Sequence, residues 1–131
     1  MRSAIVLFAH GARDPEWAQP FEKIRAQIQA RVHHTTPVVL AFLELMQPSL
    51  GDAIAALDTQ DIQHITLIPM FLARGGHLKN DLPKLITSIQ AQHPQLTLHL
   101  SPAIGEVESI LQQLSDWVIQ THHTLQTLQS Q

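Results

Sequence analysis

Four apolar runs alternate with four stretches of helical spacing along the chain. Ala4–Ala9, Val38–Leu43, Ile62–Met70 and Leu96–Leu100 read as strands; the first is apolar without alternation, as a strand buried on both faces should be. Between the first two, Phe21, Ile24 and Ile28 recur at helical spacing from Glu16 to about Val32, and Asp14-Pro15 suits the start of that helix. A short second helix runs from Ser49, a capping residue, to about Leu57. Asn80 or Asp81 can cap a third that reaches about Gln92, with Pro83 in its first turn. The last spans Glu106 to about Thr121 and packs through Val107, Ile110, Leu111, Leu114 and Val118; residues 122–131 are polar and expected to fray, and their Gln-rich end reads as a helix extension or a tail. Strict β-α alternation predicts an α/β fold in three layers, a four-stranded parallel sheet of order 2-1-3-4 with helices on both faces. Residues 1–131 read as a single domain, with no linker, internal repeat or low-complexity block.

Composition narrows the function classes. A chain of 131 residues, 44% hydrophobic, supports one core and is not disordered. The absence of cysteine excludes disulfides, thiolate metal sites and a thiol nucleophile. A net charge of −3 disfavours nucleic acid as a partner, although all eight Lys and Arg lie between Arg2 and Lys84. No apolar run approaches the length of a membrane span, and Met1-Arg2-Ser3 leads straight into the first strand without a signal-peptide pattern, so a cytoplasmic protein is expected.

In open parallel sheets, ligands sit beyond the carboxyl ends of the strands, where strand order reverses. His10 directly follows the first strand, Glu44 the second, and Phe71-Leu-Ala-Arg-Gly-Gly-His77 the third. Order 2-1-3-4 would bring all three to one edge. Two imidazoles suit a borderline divalent ion such as Co, Ni, Fe or Zn, and a carboxylate beside them can orient a ligand or take a proton. Gly75-Gly76 permits close approach to the site. Arg13, Arg74 and Lys79 flank the histidines and can hold a polyanion. Each feature alone has a plainer explanation: a loop histidine, a solvated carboxylate, a glycine turn, a basic rim. His33-His34 and His122-His123 are read as incidental surface pairs, and His64, His93 and His99 as structural.

The segments Phe8-Ala-His-Gly-Ala-Arg-Asp-Pro15, Phe42-Leu-Glu-Leu-Met-Gln-Pro48 and Pro69-Met-Phe-Leu-Ala-Arg-Gly-Gly-His-Leu-Lys-Asn-Asp-Leu-Pro83 resemble the three signatures of the sirohydrochlorin chelatases (class II chelatases). The likeness runs from about Ala4 to Ile119, and the length is similar to that of the small, single-domain cobaltochelatases. The resemblance implies a chelatase-type fold and nucleotide-independent insertion of a divalent metal into sirohydrochlorin, an octacarboxylate tetrapyrrole on the path to cobalamin or sirohaem. His10 and His77 are implied to bind metal or act as base, with Glu44 as the acidic partner. Co²⁺ is the expected ion, with Fe²⁺ or Ni²⁺ as alternatives, and no organic cofactor is implied. Small members pair as homodimers to complete a cleft. Ala9 and Ala12 depart from a first segment that often carries Gly and Ser; Ala12 removes a hydroxyl.

Histidine phosphatases need Arg before the His-Gly pair, and Ala9 stands there. Neither the Walker pattern nor Gly-x-Gly-x-x-Gly occurs. A ferrochelatase, or a non-catalytic metal or tetrapyrrole carrier on the same fold, remains the alternative, since fold does not fix function. Which of His10, His77 and Glu44 is the base stays open.

Overall fold

In the computed structural model, residues 2–73 and 75–130 are described, His77 by its backbone alone. Arg74 and the His77 side chain therefore lie outside the described residues. The strands are β1 (Ser3–Ala9), β2 (Val38–Phe42), β3 (His64–Pro69) and β4 (Thr97–Leu100); the helices are α1 (Gln19–Gln29), α2 (Leu50–Asp58), α3 (Gly76–Gln92) and α4 (Glu108–Gln129). The sheet is parallel throughout, in the order β2-β1-β3-β4. This is the doubly wound α/β arrangement expected from the alternation.

The core occupies one face of the sheet. Ala4, Val6 and Phe8 of β1 alternate onto it with Ala41, Ile65 and Leu67 from the neighbouring strands. Leu50, Ile54 and Leu57 of α2 and Leu82 and Ile89 of α3 close over them. Burying side chains of this size stabilises the fold by about 1.5–3 kcal/mol each. On the opposite face α1 packs beside β2. There, Val38 and Leu7 are buried, but Thr66, Thr97 and His99 stay exposed, and His64 and Ile68 are only half-buried.

Two glutamines guide the chain from helix to strand. The Gln29 amide donates to the Thr36 carbonyl (3.0 Å) and its Oε1 accepts from the Val38 N–H (2.9 Å), which aligns the entry to β2. Gln90 does the same for β4, donating to the carbonyls of His93 and Leu96 while accepting from the Leu98 N–H (3.1 Å). Each amide satisfies backbone groups that have left one element and not yet joined the next.

The helix boundaries differ from the sequence expectation in three places. The first helical stretch is divided: Asp14 accepts from the Glu16 N–H (2.9 Å) and caps a 3-10 turn over Pro15–Ala18, and α1 begins only at Gln19. The third helix starts at Gly76, not at Asn80 or Asp81, and Pro83 lies inside it rather than in the first turn. Gly75 provides the extended cap (φ −65°, ψ 164°) and its carbonyl accepts from the Lys79 N–H at 3.1 Å; a glycine cap carries no side-chain signature, so the polar residues further on looked like the start. The segment expected to fray is helical, α4 continuing to Gln129. Ser49 caps α2 as expected, accepting from the Asp52 N–H at 3.2 Å.

Candidate functional site

The parallel ladder between β1 and β2 does not stop at the strand ends. The Leu43 N–H donates to the Ala9 carbonyl (2.9 Å) and the Glu44 N–H to the His10 carbonyl (3.1 Å). These two bonds bring His10 and Glu44 together at the carboxyl edge: His10 Nε2 and Glu44 Oε1 stand 3.5 Å apart, with both side chains about half exposed (53% and 55%). A protonated imidazole at that distance forms an ion pair; a neutral one presents its ring to an incoming ligand with a carboxylate beside it.

The backbone around the pair is tightly determined. Gly11 has φ +94°, and a Cβ placed on it would overlap the Glu44 carbonyl oxygen, so only glycine lets the first loop pass this close to the second. Past Glu44 the chain turns through Leu45 at φ 64° and returns at Pro48, whose carbonyl accepts from the Phe42 N–H (2.9 Å). Glu44 thus sits on a short excursion pinned at both ends. Behind His10, Phe71 presents its ring edge-on at 6.1 Å and meets Phe8 at 5.6 Å in the same manner. The imidazole therefore stands against an aromatic wall anchored in the core.

Beside the pair, a cleft of about 490 Å³ opens between the first loop and the excursion after β2. Leu40, Phe42 and Met46 give it apolar walls, and its polar lining is Arg13, Gln19, Glu22 and Gln47, the Glu22 carboxylate being held by Arg25. Ala12, one of the departures from the chelatase pattern, also lines it. Leu45 and Leu72, in the loops after β2 and β3, are large apolar side chains left about 60% exposed (59% and 61%).

The structure brings His10 and Glu44 into one pair and places Arg13 in the adjoining cleft. Lys79 is exposed in the first turn of α3, the helix that follows β3, and the backbone of His77 belongs to that same turn. Gly75 and Gly76 have open space where a Cβ would stand and neither has positive φ, so no neighbouring backbone among the described residues requires glycine there, as it does at Gly11. Sequence reasoning missed Phe71 as the wall behind His10 and Leu45 and Met46 as neighbours of the cleft. The signal was present in Leu45, Met46 and Leu72, apolar residues held in loops. Among the described residues no group of three or more His, Cys, Asp or Glu converges on one point. His93 pairs with Asp58 (2.8 Å), His64 with His99 (3.0 Å) and His33 with Thr35 (2.6 Å), all away from the carboxyl edge.

The profile of one family, described as CbiX, matches residues 4–121. The chain belongs to the CbiX family. Among its relatives, the sirohydrochlorin cobaltochelatase of Methanopyrus kandleri is 35% identical over 63% of this chain and 57% of its own length. The sirohydrochlorin ferrochelatase of Bacillus subtilis is 28% identical over 85% of this chain and 42% of its own. The chain thus spans about half the length of these two relatives. A sirohydrochlorin cobaltochelatase of Saccharolobus islandicus matches at 27% identity over 91% of this chain and 95% of its own. The crystal structure of a cobalamin (vitamin B12) biosynthesis CbiX protein from Marinobacter aquaeolei superposes with a TM-score of 0.79 at 30% identity, covering 93% of this chain and 98% of that one. The sirohydrochlorin chelatase SirB of Bacillus subtilis subspecies spizizenii, in complex with cobalt, gives 0.68 at 28% identity, over 79% of this chain and 44% of that one. The CbiX fold and the carboxyl-edge position of the His10–Glu44 pair therefore coincide in one family member.

Proposed function

We propose that this CbiX protein inserts a divalent metal, with Co²⁺ as its physiological ion, into sirohydrochlorin. The observation that carries the proposal is the exposed His10–Glu44 pair, 3.5 Å apart at the carboxyl edge and beside a cleft that Arg13 lines. A carboxylate-rich macrocycle needs cations at its rim, and an aromatic or aliphatic surface for its ring. Arg13, Arg74 and Lys79 are the proposed anchors for carboxylates; Leu45 and Leu72 offer apolar surface to the ring. Gly75 and Gly76, with nothing crowding them, leave room for the substrate to come close.

Insertion exchanges two pyrrole N–H protons for M²⁺. His10 and His77 deliver the ion and replace part of its water shell, and one of the two histidines or Glu44 takes up protons. Binding energy from the remote carboxylates can be used to bend the ring and expose a nitrogen lone pair. No nucleotide enters these steps. Half a cleft for a large ring also argues for two copies of the chain in a C₂ dimer. No helix among the described residues is long and apolar enough to cross a membrane, and we place the protein in the cytoplasm.

Fe²⁺ is the second reading for the ion, favoured by the relative named a ferrochelatase. Initial rates of insertion into sirohydrochlorin with Co²⁺, Fe²⁺ and Ni²⁺, followed side by side by absorbance, decide between them. Co²⁺ should give the highest rate. A preference for Fe²⁺ transfers the assignment to a ferrochelatase. Binding of sirohydrochlorin or Co²⁺ with no acceleration over the spontaneous reaction makes the protein a carrier.

A further inference from the structure

His10 follows β1 with its side chain half exposed, and Glu44 alone does not hold its ring. The His10 Nε2 stands 3.5 Å from Glu44 Oε1, beyond the 2.7–3.2 Å of a well-formed N–H···O bond. On its other side the imidazole meets Phe71, with centroids 6.1 Å apart and the ring planes nearly perpendicular at 84°. Aromatic quadrupoles favour that arrangement, and it is directional where aliphatic packing is not. Phe71 itself is placed by the rest of the fold. It is 5% exposed, and its ring packs against the fully buried Phe8 at 5.6 Å and 78°. The residue before it is tied to β1, the Met70 N–H donating to the Phe8 carbonyl (2.8 Å), and the Phe71 carbonyl accepts from the Gly105 N–H (3.0 Å). Gly105 in turn lies so close to the Leu72 backbone that a Cβ there would overlap it. The ring of Phe71, the peptide before it and the backbone after it are thus held by three separate parts of the chain.

We infer that Phe71 is a positioning residue for metal delivery: its ring fixes the orientation of the His10 imidazole, so that Nε2 stays turned toward Glu44 at the carboxyl edge. The inference rests on the reading of His10 as a residue that delivers the ion. An imidazole that hands over a cation must keep its lone pair on one line while the ion's water is replaced. A ring free to turn about its Cβ–Cγ bond faces elsewhere part of the time, and misorientation of a reacting group slows the step it serves. Phe71 supplies the restraint because it cannot move with the imidazole; its own place is set by Phe8 and Gly105. Leucine or methionine at this position fills most of the same volume against Phe8 but presents no ring to the imidazole. Phe71 takes no direct part in the chemistry, since it is buried in the core cluster. It acts through His10 alone, and that separates its role from ordinary packing.

A double-mutant cycle on the full chain tests this. Phe71→Leu should lower kcat for Co²⁺ insertion into sirohydrochlorin about tenfold and leave KM for sirohydrochlorin within about twofold. With His10→Ala already present, the same substitution should change kcat by less than about twofold, because the residue it acts through is gone. Phe71→Tyr keeps the ring and should restore most of kcat. Rates are taken well below the thermal transition of each variant, so that lost stability does not enter them; where Phe71→Leu does not fold, Phe71→Met takes its place. A further readout needs no variant: nuclear Overhauser contacts between the ring protons of His10 and Phe71 are expected in the unaltered chain, and their absence overturns the inference. An unchanged kcat in Phe71→Leu, an equal loss in the His10→Ala background, or Phe71→Tyr as slow as Phe71→Leu overturns it as well, and each leaves the role of His10 standing. Insertion by His10→Ala at the rate of the unaltered chain instead removes the reading of His10, and this inference with it.

Discussion

At the residue scale the account depends on a few positions around the carboxyl edge. Gly11 is the most constrained, since its φ and the Glu44 carbonyl exclude a side chain independently. Gly11→Ala should destabilise the fold by at least about 1–3 kcal/mol, read as a lower urea midpoint, whereas Gly75→Ala should leave the midpoint nearly unchanged because a Cβ there meets open space. Equal effects would show that the close passage of the two loops is not real. Glu44→Gln keeps the size of the side chain and removes the charge next to His10; the expected result is slower insertion with the urea midpoint preserved. His10 and Glu44 were legible in the sequence because each follows an apolar strand directly, and strand order alone brings them together. Phe71 was not, since a phenylalanine after a strand reads as core until its edge is seen against the His10 ring. The constraint on Gly11 was not legible because sequence records that a glycine is present, not which backbone passes near it.

At the scale of elements, β-α alternation carried the topology, and capping chemistry located the helix starts where a side chain did the capping. Ser49 and Asp14 were readable for that reason; Gly75 was not, and the start of α3 moved four residues upstream of Asn80. On α1, the Arg25 guanidinium donates to both carboxylate oxygens of Glu22, at 2.9, 2.8 and 2.6 Å. Those hydrogen bonds hold the Glu22 carboxyl below its ordinary pKa and raise that of Arg25. A carboxyl whose pKa falls on folding contributes stability that is fully present above its unfolded pKa of about 4.3 and is lost as pH falls through the folded value. Glu22 is about half exposed and solvent screens the pair, so its contribution is on the order of 0.2–1 kcal/mol. Glu22→Gln should therefore lower the urea midpoint slightly at pH 7, by an amount that shrinks as pH falls below about 4.3; a penalty that does not change with pH assigns the effect to packing.

At the scale of the whole molecule, the fold places a half-exposed imidazole–carboxylate pair where open parallel sheets bind ligands, with Arg13 in the adjoining cleft and Lys79 in the first turn of α3. The reach of α4 was legible only as one of two readings, a helix extension or a polar tail, because Leu125 and Leu128 extend the apolar stripe only once the helix is known to continue. The central claim is that His10 takes part directly in delivering the metal. The initial rate of Co²⁺ insertion into sirohydrochlorin, followed by absorbance at neutral pH in His10→Ala and His77→Ala beside the unaltered chain, tests it most directly. The account predicts a fall of about 10²-fold or more in each variant, with the urea midpoint of His10→Ala unchanged because its side chain is half exposed. Insertion by His10→Ala at the rate of the unaltered chain would contradict it.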